Sequence, residues 1–513
     1  MNQRASKRIN LLLAILTYAL FIIRWGYTYL SDSVENVVFI EGLISNHALR
    51  DSLTYQMISS EFPVNHRAPF IFLCLPFFYA GAGEHFFFFM HMFCYIVAFF
   101  VWFNVCDVIF QHRGIAEGRI LHLKVISATL LLFFDGQIPG NSPIYYADFI
   151  PSVVSTMFAL LSLYLLIKND YSRSNSHKRE IIAGICIGIS TIFQAISGTL
   201  VFLACIPFVI RKRYFIYTGL WCLTGGIWLF LLYLNAVAFS ESDIWLATTY
   251  RSAHHYRMES FSGASLITFL IISVMGGISL SKAHSFTKHF MFSTIIILLI
   301  YGFITWFFPY SRMVLARGWM LIPYYYAIVI PEISAHFVSR EITRFLMWAC
   351  MLAWGTIIFY KVNRPPAIDT PFLTNQRGLR ELAQFIKKNT DTSCVLIVSP
   401  ALSILEGLAE RKLFVNYKAF PYVPELMSRW HFRLLMILGM KDTCCGLSAL
   451  PWLNLNFYEN VRRTGITALK SLGDYLVLEK KFNVEVNSPP LFQNNDFILY
   501  SIRQQKNKKQ PED

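Results

Sequence analysis

Apolar positions run in long blocks along this chain, separated by short basic stretches or longer acidic ones. The first block is Ile9–Ile23, preceded by Arg4, Lys7 and Arg8. Residues 31–67 then form a long amphipathic stretch with Asp32, Glu35, Glu41, Asp51 and Glu61, beside His47, Arg50, His66 and Arg67. A connection that only joined two membrane crossings needs far fewer residues, so this stretch predicts a lid or active-site segment on the membrane face. A solvated loop is the plainer alternative. Ala68–Ala82 is apolar but short and broken by Pro76, which fits a helix half-sunk in the membrane interface. Longer blocks follow at Phe86–Cys106, Val125–Phe134, Ser152–Ile167, Ile181–Ser197, Thr199–Ile210 and Tyr214–Phe239. The last are Ser265–Leu280, Met291–Phe308, Trp319–Phe337 and Phe345–Tyr360. Together they predict about eleven transmembrane helices.

Basic residues set the orientation. They crowd the connections His112–Lys124, Lys168–Glu180 and Arg211–Arg213, then recur at Lys282, Lys288, Arg340 and Arg344. The intervening connections are acidic or mixed, so the basic ones read as cytosolic and the 31–84 loop as external. No small-residue cleavage site follows the first block, which therefore reads as an uncleaved anchor with a cytoplasmic N-terminus. The expected place is a bacterial inner membrane.

Beyond Asn363 the pattern changes. Pro365 and Pro366 punctuate a linker. Leu379, Leu382, Phe385 and Ile386 recur at helical spacing, and Cys394–Val398 reads as a buried strand. Leu405–Glu410 reads as helix, Leu413–Tyr417 as strand and Pro424–Met440 as an amphipathic helix; Tyr475–Leu478 and Phe497–Ile502 read as strands. The expected architecture is an α-helical polytopic domain over 1–362 with a long first external loop (31–84). A small extracytoplasmic α/β domain over 363–505 follows, then a disordered tail at 506–513.

Composition supports the class. Of 513 residues, 55% are hydrophobic and only 15% charged, against about 25% charged in soluble domains. The net charge of +14 sits largely in short connections and no nucleic-acid motif is present, so nucleic acid is excluded as a partner. Most of the ten cysteines lie in apolar blocks, where Cys acts as a small hydrophobe. A disulfide from Cys394 to Cys444 or Cys445 stays open.

The candidate chemistry gathers on the external side. Acids of the first loop join Asp135 and Asp148 of the second, Arg251, His254, His255 and Arg257 of a later loop, and Arg312 and Arg317 of the next. Carboxylates serve as a base toward a hydroxyl or hold a divalent metal, and arginines grip phosphates by paired hydrogen bonds. Each has a plainer reading: Asp148 as a helix cap, the arginines as interface anchors, His254–His255 as loop polarity, Tyr145 and Tyr146 as an aromatic belt.

This order of features resembles the GT-C superfamily of membrane glycosyltransferases, including the aminoarabinose and protein mannosyl transferases. The resemblance lies in SDSVENVVFIEGL after the first span, NHRAPFIFLCLPFF, EHFFFFMHMFCYIV, YYADFIPSVVSTMF opening the fourth span, LARGWMLIPYYY, and ELAQFIKKNTDTSCVLIVSP opening the last domain. The adjacent Asp-Glu pair common in the family's first loop is missing. The resemblance implies inverting transfer of a sugar from a polyprenyl-phosphate donor to a surface-glycan or lipid acceptor, as in lipopolysaccharide or O-antigen modification. Glu35, Asp32, Glu41 and Asp148 are then the catalytic acids, with Glu35 best matched as base. Arg317, Arg312 and Arg251 hold phosphate, and His66, Arg67, His255 and Tyr146 bind substrate, with Mg or Mn as an optional metal. The alternatives are a polysaccharide polymerase or ligase and a lipid-linked-sugar flippase; a flippase predicts charges buried inside spans.

Overall fold

The protein, seen in a computed structural model, is described over residues 3–25, 34–60, 64–112, 114–133, 150–171, 176–235, 240–246, 271–278, 285–307, 321–363, 376–417, 419, 423–440 and 450–502. In chain order the helices are α1 (Gln3–Trp25), α2 (Val34–Ile44), α3 (Leu53–Ser59), α4 (Ala68–Tyr79), α5 (Gly83–His112) and α6 (Glu117–Phe133). Then come α7 (Pro151–Tyr171), α8 (His177–Phe193), α9 (Ala195–Lys212), α10 (Phe215–Trp221), α11 (Ile227–Leu234) and α12 (Glu241–Leu246). They are followed by α13 (Ser285–Phe307), α14 (Leu321–Phe337), α15 (Arg340–Asn363) and α16 (Gln376–Asn389). The C-terminal part adds β1 (Val395–Ile397), α17 (Leu405–Ala409), β2 (Lys412–Leu413), α18 (Pro424–Leu438), α19 (Leu450–Thr464), β3 (Tyr475–Glu479), β4 (Phe492–Gln493) and β5 (Phe497–Ser501).

Two compact units emerge. One comprises 1–29, 84–236 and 255–365; the other comprises 30–83, 237–254 and 366–513. The loop 31–84 is expected to belong with the membrane domain, whereas residues 30–83 cluster with the C-terminal part. The reason is a set of side-chain bonds described below, the one between Thr54 and Glu406 being buried.

The first unit is helical. Among the described residues, five stretches are long and apolar enough to cross a membrane: Ala5–Ile23, Gly83–Gln111, Pro151–Asp170, Ala195–Lys212 and Phe215–Leu234. The expected eleven crossings are not established by these five. The adjacent blocks Ile181–Ser197 and Thr199–Ile210 are joined by a tight turn at Gln194, φ −145°, ψ 92°, between α8 and α9. Helices α7 and α8 meet along small residues, with Ser155 and Ser190 each donating 2.9 Å to the other's carbonyl and Ser162 to Ala183 O. Gly188 permits the next contact, since a Cβ there would overlap Thr224 Oγ1. A π-helical turn, Cys222–Gly226, carries α10 into α11.

Ionisable groups are buried among these helices. Asp107 of α5 and Lys124 of α6 form a buried ion pair. Around it Ser6 Oγ and Asn10 Nδ2 donate to Asp107 at 2.9 and 2.7 Å, and Lys124 donates to Asn10 Oδ1 at 2.7 Å. Asp170 likewise pairs with Lys212, Glu180 accepts from the Tyr217 backbone N–H at 3.1 Å, and Glu332 is fully buried. Charges can be buried in such helices because each gains a partner as it leaves water. Arg119 of α6 donates to Ser334 O and Thr343 Oγ1, tying the end of α14 to α15.

The second unit holds a five-stranded sheet in the order β2-β1-β3-β5-β4. Strand β1 is parallel to β2 and β3, whereas β5 is antiparallel to β3 and β4. Helix α16 lays the predicted Leu379, Leu382 and Ile386 on this sheet, and the Phe385 ring meets Phe492 at a tilt, centroids 4.8 Å apart. The strand expected over Leu413–Tyr417 shrinks to Lys412–Leu413. Cys394 is a buried free thiol; Cys444 and Cys445 lie outside the described residues.

Candidate functional site around Glu35 and Arg67

Val34–Ile44 was expected to be part of an amphipathic loop, and instead it is a helix buried on nearly every side. Its apolar residues recur densely enough to face neighbours all round, which only an enclosed helix tolerates. Glu35 stands in its first turn, where a negative charge suits the helix dipole. The far end is closed by Arg50, whose guanidinium donates to Gly42 O at 2.8 Å and Leu43 O at 3.2 Å. Gly42 is needed because Tyr55 crosses it: a Cβ there would lie 2.6 Å from the ring. That ring stacks on Phe39 at 4.8 Å and so locks α2 to α3.

Two side-chain caps shape the rest of the loop. Ser52 Oγ accepts from Tyr55 N–H at 3.1 Å and starts α3. Asn65 Oδ1 accepts from the N–H groups of Arg67 and Ala68 at 2.9 and 2.7 Å, turning the chain into α4 with Pro69 in its first turn. This turn places Arg67 against α2. Its Nη2 donates to Glu35 Oε2 in a buried ion pair, both residues being 7% exposed. Among the described residues, neither Arg67 Nη1 nor Asn36 Oδ1, both buried, has a hydrogen-bond partner.

Of the predicted site residues, the structure brings together Glu35 and Arg67. Glu41 lies six residues further along α2, about 9 Å along its axis and on a different face. Its carboxyl bonds to Ser45, and burial pushes its pKa up from the ordinary value, against that bond; Glu410 adds to the rise and Lys387 opposes it. His66 is exposed in the turn before Arg67. Asp32, Tyr146, Asp148, Arg251, His255, Arg312 and Arg317 lie outside the described residues. No cluster of three His, Cys, Asp or Glu side chains suited to a metal occurs among the described residues. A polar cleft of about 360 Å³ between Arg377, Glu381 and Asn494–Asp496 contains none of the predicted residues.

The sequence reading missed Glu406. It is 1% exposed, and its Oε2 accepts from Thr54 Oγ1 and from Asn416 Nδ2, each at 2.6 Å. Burial pushes its carboxyl pKa up from the ordinary 4.5, opposed by those bonds and by others from Leu413 N–H and Ser52. Three more links join the same two parts of the chain. Asn46 Nδ2 donates to Glu410 O at 2.6 Å, Lys412 pairs with Asp51 at 3.5 Å, and Arg429 donates to Gln56 Oε1 at 3.3 Å.

A family model described as a domain of unknown function, DUF6798, matches residues 377–437, from α16 to α18. No curated protein matches the chain. Among solved structures, the chain is similar to the arabinofuranosyltransferase AftD from Mycobacteria, at 11% identity and a TM-score of 0.50. The likeness covers 98% of this chain and 42% of that one, so the chain spans well under half of the neighbour's length. The two share a fold.

Proposed function

We propose that this protein is an integral membrane glycosyltransferase. It moves a sugar from a polyprenyl-phosphate donor to a surface-glycan or lipid acceptor on the periplasmic face of a bacterial inner membrane. The observation that carries this reading is the fold shared with a membrane arabinofuranosyltransferase along 98% of the chain. It is supported by a buried carboxylate and guanidinium, Glu35 and Arg67, at the head of the first loop. Transfer with inversion needs a base for the acceptor hydroxyl and a cationic surface for the departing lipid phosphate. Arg67 would give its Nη1 to the phosphate while Nη2 keeps the carboxylate in place. Glu35, or its neighbour Asp32, takes the acceptor proton; Asp148 orients the acceptor or a Mg or Mn ion; Arg317, Arg312 and Arg251 complete the phosphate contacts.

The buried charges of the first unit recommend a flippase as the second reading. Asp107–Lys124 and Asp170–Lys212 nevertheless neutralise one another, which suits fixed helix packing better than a moving charged cargo. Mass spectrometry of surface glycans with and without the gene separates the two. A sugar substituent missing from the glycan is the expected result; an intact glycan with lipid-linked sugar accumulating in the inner leaflet would favour the flippase. With purified protein and a labelled polyprenyl-phosphate sugar, Glu35→Gln and Asp148→Asn are each expected to abolish transfer at normal expression. Full transfer by both variants would remove them from the reaction.

A further inference from the structure

The stretch matched by the DUF6798 model contributes every partner named above that ties the first-loop segment 46–56 to the C-terminal part of the chain. Glu406, itself held by Asn416, accepts from Thr54; Glu410 O receives Asn46, Lys412 meets Asp51, and Arg429 reaches Gln56. The centre of this surface is the Glu406 carboxylate. It lies on the five-residue helix α17, is buried, and is shared between a hydroxyl of the loop and an amide of its own domain. A buried carboxylate is costly unless fully bonded, so its presence here needs a purpose that a well-packed Leu would not serve.

We infer that residues 377–437 form a dock for the acid-bearing first loop, and that Glu406 is a positioning residue that fixes α2, and with it Glu35, through Thr54. The mechanical route is short. Glu406 grips Thr54; the next residue, Tyr55, stacks on Phe39; Phe39 and Glu35 are one turn apart on α2. Helix α2 also packs directly on α17. The dock itself stands independently of glycosyl transfer; only its consequence for Glu35 rests on that reading.

Hydrogen exchange on the full-length protein in detergent tests the dock. Thr54→Val and Glu406→Leu are expected to speed amide exchange over 34–59 by about tenfold or more, while amides of β1, β3 and β5 keep their protection. Glu406→Gln, which retains an acceptor, is expected to stay close to the wild-type pattern. Unchanged exchange over 34–59 in both Thr54→Val and Glu406→Leu would overturn the dock, as would equal acceleration in the sheet. Should Glu406→Leu fail to fold, the isosteric Thr54→Val, which touches only the loop side, decides alone. Kinetics with a polyprenyl-phosphate sugar test the positioning. The turnover number is expected to fall about tenfold or more in Thr54→Val with KM little changed. A loosened loop with unaltered turnover would overturn the role assigned toward Glu35. Absence of transfer by the wild-type protein would sink the proposed function and leave the exchange experiment to decide the dock.

Discussion

At the scale of single residues, Glu35, Arg67 and Glu406 are carboxylate or guanidinium groups removed from water, and each is tolerated through a specific partner. Arg67→Gln strands the Glu35 carboxylate, which is expected to cost about 3–5 kcal/mol. Adding Glu35→Gln should recover part of that loss, and a double-mutant cycle of thermal midpoints in detergent measures it. Glu406 makes a pH prediction. Its folded pKa is raised, so the folded state keeps the proton more firmly than the unfolded chain does. The resulting stabilisation is fully present below the ordinary value of 4.5 and is lost as pH rises through the higher folded value. Glu41 shifts the same way for the same first cause and adds to the slope; Arg433 lies within electrostatic reach of Glu406 and moderates it. Relative to Glu406→Gln, the wild-type melting temperature should therefore fall on going from acid toward neutral pH. A constant difference between the two would refute the assignment. None of these pairings was legible in the sequence. Glu35 and Arg67 are 32 positions apart, Thr54 and Glu406 are 352, and LEGLA is too short to show a period.

At the scale of elements, the sequence spoke most clearly where apolar blocks were long. The hairpin of α8 and α9, the helix α5 and the sheet-facing side of α16 follow from block length or 3.6-residue spacing. Strands β2 and β4 have two residues each and leave no pattern to read. Helix α2 was missed for a different reason: the acidic residues flanking it suggested solvent, yet eight of its eleven residues are buried. The contact between α2 and α3 depends on a bare backbone at Gly42. Gly42→Leu would drive a side chain into the Tyr55 ring and is expected to destabilise the second unit by about 1–3 kcal/mol. The same change should raise exchange over α2 first. Ser52→Ala removes the cap of α3 and is expected to cost about 0.5–2 kcal/mol, measured the same way.

At the scale of the whole molecule, the chain forms two units, each built from segments distant in sequence. In the first, Lys124→Met leaves Asp107 buried without its cation, with an expected loss of about 3–5 kcal/mol. Pairing it with Asp107→Leu should restore most of the melting temperature, because the partners are replaceable together but not singly. The same architecture governs the second unit through order of synthesis. Thr54 leaves the ribosome 352 residues ahead of Glu406, a wait of about 20–70 s at ordinary translation speeds. During that wait helix α2 lacks its packing partner α17, because α17 has not been made. A nascent chain is therefore most exposed to chaperones and proteases while its last quarter is still unread, and early stop codons there should yield products that are degraded rather than shortened ones that persist.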